Sequence, residues 1–196
     1  MDDLDRAVAA IRDGKLVVYP TETVYGLGAD ALDPDAIERV FDAKRRAREK
    51  PISLAVPDAE SALSFVRPTE REREFMKEFL PGPVTILCEK RDAVPDVLTA
   101  GRTRVGVRIP DQPLALKLLR RVAPTPLTST SANVSGRASV MRADDLDDEI
   151  RDAATVVLDG GETGGTGSTV VNVERGEILR RGTSADAIEA WLAAEE

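Results

Sequence analysis

Apolar positions along the chain recur at two periods, and the switching between them predicts its elements. Leu16-Val17-Val18-Tyr19 is a short apolar run closed by Pro20, as in a buried strand. Asp33-Pro34 reads as an N-cap followed by proline at the first helical position. The helix after it carries Ile37, Val40 and Phe41 on one face. A strand is expected over 52–56. Thr69-Glu70-Arg71-Glu72 fits a capping box that opens a helix through Phe79, stopped by Pro81-Gly82-Pro83. Strands are expected over 84–88 and 105–109, a helix over 112–121, and an extended run entering a turn over 127–131. A short helix over 146–154 and a strand over 155–158 precede a glycine-rich loop over 159–167. Segments 168–173 and 177–181 predict a hairpin across Glu174-Arg175-Gly176. Thr183-Ser184-Ala185-Asp186 caps a last helix carrying Ile188, Trp191 and Leu192.

Strand and helix alternate with no repeat, long linker or compositional break. The expectation is one α/β domain over 1–196. Short loops near Pro81 and Gly176 favour antiparallel neighbours, so a mixed sheet fits better than a purely parallel one.

Composition narrows the chemistry. None of the 196 residues is histidine, which excludes Ser-His-Asp and Cys-His catalysis and every His-ligated metal site. The single cysteine, Cys88, sits in the strand-like Thr85-Ile86-Leu87-Cys88 and reads as a buried, inert thiol. A net charge of −8 disfavours broad polyanion binding unless the basic residues cluster. No apolar run approaches the roughly 20 residues of a membrane span. The acidic start, Met1-Asp2-Asp3-Leu4-Asp5, lacks the basic head and apolar run of a signal peptide. A cytoplasmic protein without a membrane partner is expected. Its chemistry must run on carboxylates, hydroxyls, Lys, Arg, backbone amides or a substrate-borne metal.

Four segments carry such groups. Lys44 follows Phe41, Val40 and Ile37 at helical spacing, so it lies on or beside the apolar stripe and must snorkel or meet an anion. With Arg46 and Lys50 it forms either a phosphate clamp or a basic helix end that complements the dipole. Thr128-Ser129-Thr130-Ser131-Ala132-Asn133-Val134-Ser135-Gly136 packs donors into a turn after a strand, which serves a nucleotide or simply closes a Ser/Thr/Asn turn. Pro20-Thr21-Glu22-Thr23-Val24-Tyr25-Gly26-Leu27-Gly28 follows the first strand, where ligands gather in α/β folds. Its glycines allow close approach or positive φ. Glu22 is either an acid/base or a structural carboxylate. Gly164-Gly165-Thr166-Gly167-Ser168-Thr169 lacks the lysine of a P-loop, and Val170 takes the last glycine position of GxGxxG, so neither standard nucleotide motif is present. Arg104, Arg108 and Arg180 stand at strand ends, where they are surface cations or, if buried, need anionic partners.

At these residues the chain resembles the YrdC-like threonylcarbamoyl-AMP synthases. The likeness runs from Leu4 to Gly182 through ordered blocks: Tyr19 to Gly28, Lys44-Arg45-Arg46 with Lys50-Pro51, and Pro81 to Thr85. Then come Val105-Gly106-Val107-Arg108-Ile109-Pro110, Ser131-Ala132-Asn133 with Ser135-Gly136, Ser168 to Val171, and Leu179 to Gly182. The resemblance implies a twisted, mixed, largely antiparallel sheet with flanking helices around a basic cavity. It implies that L-threonine, bicarbonate and ATP become threonylcarbamoyl-AMP and pyrophosphate, for N6-threonylcarbamoyladenosine at position 37 of tRNA. A K-x-R signature matches Lys44 and Arg46, and an S-x-N signature matches Ser131 and Asn133. These four would be catalytic. ATP would lie against them together with Lys50, Arg104, Ser139 and Arg180. L-threonine would lie near Thr23, Arg108, Ser129 and Ser168. Mg²⁺ would be held mainly by the ATP phosphates. Downstream partners would be a threonylcarbamoyl transferase and tRNA, with direct contact to tRNA or double-stranded RNA possible. Ala55 stands where some relatives carry a histidine near the threonine site. The chain matches the short, single-domain form. Two rivals remain: an RNA-binding module of the same fold, and a related enzyme that uses a nucleotide with another substrate.

Overall fold

The computed structural model describes residues 2–194, so Met1, Glu195 and Glu196 of the expected domain lie outside the described residues. Helix α1 (Asp3–Arg12) opens the chain, an element the acidic start did not announce. Asp2 and Asp5 cap it reciprocally, and it buries Ala7, Val8, Ala10 and Ile11. Strand β1 (Leu16–Tyr19) is buried throughout and pairs antiparallel with β2 (Gly26–Gly28). Close packing explains the glycines of β2. A Cβ on Gly26 or Gly28 would sit 3.1 or 2.9 Å from the Tyr19 ring. Neither glycine has a positive φ. Helix α2 (Pro34–Lys44) starts at Asp33, whose carboxylate accepts from Asp35 N at 3.0 Å. It buries Ile37, Val40, Phe41 and Lys44.

The central elements follow as β3 (Ser53–Ala55), α3 (Ala59–Ala62), β4 (Val66–Arg67) and α4 (Glu70–Phe79). Next come β5 (Val84–Lys90), α5 (Asp96–Thr99), β6 (Arg104–Arg108), α6 (Pro113–Val122) and β7 (Leu127–Ser129). The last are α7 (Asp148–Ala153), β8 (Ala154–Val157), β9 (Thr169–Asn172), β10 (Glu177–Arg180) and α8 (Ala185–Ala194). The Thr69 capping box and the 174–176 hairpin form as the sequence predicts.

The strands make two sheets. The larger has the order β10-β9-β5-β6-β3-β7, with β4 also on β5. The smaller is β2-β1-β8. Pairs β3–β6, β5–β9 and β1–β8 are parallel and the others antiparallel, so the sheet is mixed and largely antiparallel. Bridges Gly26↔Ser131 and Asp30↔Leu127 link the two sheets.

Alternation along the central strands sorts the residues into a core face and a site face. Leu54, Val84, Ile86, Cys88, Val105, Val107 and Val171 point into one continuous apolar core. Ser53, Thr85, Leu87, Arg104, Gly106, Arg108, Val170 and Asn172 face the other way and line a cavity. A second apolar cluster holds α1 and α6 against β1 and β8. Trp191 locks α8 onto α4, with its ring centroid 5.2 Å from that of Phe75. Among the described residues no helix is long and apolar enough to cross a membrane.

Candidate active site

The cavity has a volume of about 540 Å³. Strand β6 sets its floor. Its register puts Arg104, Gly106 and Arg108 on one face, and Gly106 keeps that floor low. A Cβ there would meet Ser53 Oγ at 2.1 Å and Thr85 Cγ2 at 2.9 Å.

Arg108 is the most deeply buried arginine on the floor. It is 8% exposed, and its Nη2 donates to Thr23 Oγ1 at 2.7 Å, Glu22 Oε1 at 2.9 Å and Thr21 Oγ1 at 3.3 Å. Glu22 is thus ion-paired to Arg108. Its Oε2 and the Arg108 Nε are buried with no partner in the protein. The glycine-rich loop packs on the same turn. Gly165 N donates to Thr23 O at 2.6 Å, and a Cβ on Gly164 would stand 2.8 Å from Glu22 O. That close approach, and not phosphate cradling, accounts for the glycine at 164.

Arg180 reaches in from β10. Its Nε donates to Ser168 O at 2.9 Å and its Nη2 to Ser168 Oγ at 2.8 Å. Ser168 is buried and shares a hydrogen bond of 2.9 Å with Thr85 Oγ1. Arg46 stands just past the C-terminus of α2 and donates to Lys50 O at 3.1 Å and Pro51 O at 2.8 Å. Burial and then the Arg180 charge lower the Arg46 pKa. Burial and then the Arg108 charge lower that of Arg180. Arginine stays ionised regardless, so these shifts express the cost of burying charge and, second to it, the repulsion between the arginines, which an anion would relieve. Among the described residues neither Arg46 nor Arg180 has a carboxylate partner.

Arg104 differs. It lines the cavity, but its guanidinium is shared between Glu174 at 2.6 Å, the fully buried Glu72, and Leu87 O at 2.7 Å. Its charge is already balanced within the fold.

Eight expected site residues line the cavity: Arg46, Arg104, Arg108, Ser129, Ser131, Ser139, Ser168 and Arg180. Thr23 stands directly behind Arg108. Lys50 is exposed and off the wall. Lys44 and Asn133 are buried behind it. Lys44 Nζ donates to the carbonyls of Ser131 and Asn133, the second at 2.7 Å. Burial, then the Arg46 charge, pushes the Lys44 pKa down to about 8, with Asp147 opposing. Asn133 Nδ2 donates to Val134 O and Arg137 O, both at 2.9 Å, and its Oδ1 has no partner. Ala55 is buried with the second apolar cluster and puts no polar atom on the wall. Thr85, Arg102 and Arg175 also line the cavity, though the sequence reading gave them no role. Thr85 was legible as a polar residue alternating with buried Val84 and Ile86. The two arginines lie in loops with no periodicity to read. Cys88 is fully buried, and desolvation raises its thiol pKa further.

A sequence profile covering Sua5, YciO and YrdC, described as "Telomere recombination", matches residues 9–182. The chain belongs to this family. A Pyrococcus abyssi relative called threonylcarbamoyl-AMP synthase is 40% identical over 169 residues, which is 85% of this chain but 49% of the relative. A Vibrio parahaemolyticus protein of the same name is 32% identical over 187 residues, covering 93% of this chain and 100% of that protein. The solved structure of P. abyssi Sua5 complexed with L-threonine superposes with a TM-score of 0.87 at 36% identity, covering 96% of this chain and 58% of that one. The chain thus spans about half the length of the P. abyssi relative. Membership agrees with the mixed Sua5-like sheet described above and with the ordered blocks in the sequence.

Proposed function

We propose that this chain catalyses formation of threonylcarbamoyl-AMP from L-threonine, bicarbonate and ATP, releasing pyrophosphate. One observation carries the reading: Arg46, Arg108 and Arg180 converge with the hydroxyls of Ser129, Ser131 and Ser168 on one cavity wall. That set suits substrates that are polyanionic at one end and carry a carboxylate at the other. The names of the relatives and the threonine complex of P. abyssi Sua5 support it.

In this reading the amino acid takes the Arg108 end, beside Thr23, Ser129 and Ser168. The nucleotide takes the Arg46 and Arg180 side, with Ser131 and Ser139. The threonine amine and bicarbonate condense to a carbamate with loss of water. A carbamate oxygen then bonds to the α-phosphorus of ATP as the bond from that phosphorus to the bridging oxygen breaks. Pyrophosphate carries off the electron pair. No protein nucleophile is needed, and the work is alignment and charge stabilisation. Mg²⁺ prefers hard oxygen ligands, and Glu177 is the one carboxylate on the wall among the described residues. An ion travelling with ATP would therefore be held chiefly by the phosphates. The product would pass to a threonylcarbamoyl transferase acting on tRNA in the cytoplasm.

The test is pyrophosphate release by purified protein given ATP, Mg²⁺ and bicarbonate. Release should require L-threonine. Equal release with serine, or with no amino acid, sinks the assignment. Salt-sensitive RNA binding without threonine-dependent turnover would point to the RNA-binding rival.

A further inference from the structure

Lys44 is the last residue of α2, and Arg45 carries the chain into the left-handed region at φ 47. That single residue separates two cations that are neighbours in sequence. Arg46 reaches the cavity wall, whereas Lys44 is 1% exposed and lies behind it. Its ammonium meets two backbone carbonyls, those of Ser131 and Asn133. Its own carbonyl accepts from Ser135 N at 2.8 Å. One residue thus grips segment 131–135 at three points. On the other side, Ala132 N donates to Tyr25 O at 2.8 Å. Ser131, between these anchors, is on the wall.

We infer that Lys44 is a positioning residue: it holds the backbone of Ser131 and Asn133 from behind and so shapes the wall the nucleotide meets, without touching phosphate. The inference deepens the activity proposed above and rests on it. Burying an ammonium is costly unless it is hydrogen-bonded, and the two carbonyls supply those bonds. An apolar side chain would leave both carbonyls without a donor. The lowered lysine pKa fits this role, because even the neutral amine keeps one N–H for each carbonyl.

The experiment compares AMP and ATP binding to wild type, Lys44→Met and Arg46→Ala by calorimetry at fixed salt. A phosphate ligand favours ATP over AMP, while a backbone clamp serves both. Lys44→Met should weaken both nucleotides by the same factor, about tenfold, which is about 1.4 kcal/mol. Its ATP-to-AMP affinity ratio should match wild type, and Arg46→Ala should shrink that ratio. If Lys44→Met shrinks the ratio as far as Arg46→Ala does, or leaves both affinities unchanged, the role is overturned. Should Lys44→Met fail to fold, acetylation of the native wild type, read by mass spectrometry, decides. Lys44 should stay unmodified with or without ATP, while exposed Lys50 is modified. Modification of Lys44 that ATP suppresses would reveal a direct phosphate contact and overturn the inference. Wild type that binds neither nucleotide would instead overturn the proposed activity, and the role of Lys44 would fall with it.

Discussion

The guanidinium Nη2 of Arg108 lies 2.7 Å from Thr23 Oγ1, joining the floor of the larger sheet to the turn that follows β1. Glu22 and Thr21 bond to the same nitrogen, so three groups of one turn aim one arginine. Lysine in that place has a compact charge and no planar fork to span these acceptors and a ligand together. Arg108→Lys should therefore lower kcat/KM for threonine sharply. Truncating one member of a buried hydrogen-bonded charge pair costs about 2–5 kcal/mol, equivalent to about thirtyfold or more. Steady-state kinetics with threonine varied at saturating ATP checks this. A change below threefold would remove Arg108 from the amino-acid end.

Arg104 and Arg46 share a wall but should fail differently. Arg104 balances Glu72, which is fully buried. Arg104→Ala strands that carboxylate and should destabilise the fold by about 3–5 kcal/mol. Arg46 bonds only backbone carbonyls, so Arg46→Ala should destabilise the fold by less than Arg104→Ala does, about 1.5–3 kcal/mol at most, while weakening ATP. Urea unfolding alongside nucleotide titration separates the two. Equal destabilisation would contradict the division.

The Lys44 ammonium carries a pH signature. Its folded pKa of about 8 is below the ordinary 10.5. Between those values the unfolded chain binds more protons, so this group makes stability rise with pH from about 8 towards 10.5. Cys88 and Tyr19 act oppositely at high pH, because burial raises both pKa values, that of Tyr19 from 10.0 to about 12. The difference between wild type and Lys44→Met cancels those groups. That gap in unfolding free energy should widen from pH 8 to pH 10, as measured by urea titration. A gap that is flat or narrows with pH would contradict the lowered value.

Cys88 packs in the apolar core with no exposed surface, and burial disfavours its thiolate. It should resist thiol reagents in native buffer and react fully in denaturant. Rapid native labelling, followed spectrophotometrically, would show that the core opens locally.

Much of the fold is local in origin and was readable. Asp33-Pro34, the Thr69-Glu72 box and the turn at 174–176 act within a few residues, and each formed where the pattern put it. Arg104-Val105-Gly106-Val107-Arg108 alternates with period two, which by itself places both arginines on one face and both valines on the other. Helix α1 was missed although Ala7, Val8, Ala10 and Ile11 recur at helical spacing, because half of that face is alanine, which adds little apolar contrast. β2 was missed because two of its three residues are glycines, which suit the Tyr19 ring and carry no strand pattern.

The sequence by itself determined which chemistry was possible, by omitting histidine and confining its one thiol to a strand, and which faces its strands present. Tertiary structure decided which cations meet the cavity. Helical spacing put Lys44 on the apolar stripe but left its partner open; one left-handed residue and a loop 87 residues further along the chain give it two carbonyls instead of an anion, and leave Arg46 on the wall. Arg104 and Arg108 share a face, yet Glu72 and Glu174 share the first while Glu22 of the 21–23 turn pairs with the second. Side-chain periodicity is set by neighbours along the chain, whereas the partner of a buried charge is set by whatever distant element the packing brings against it.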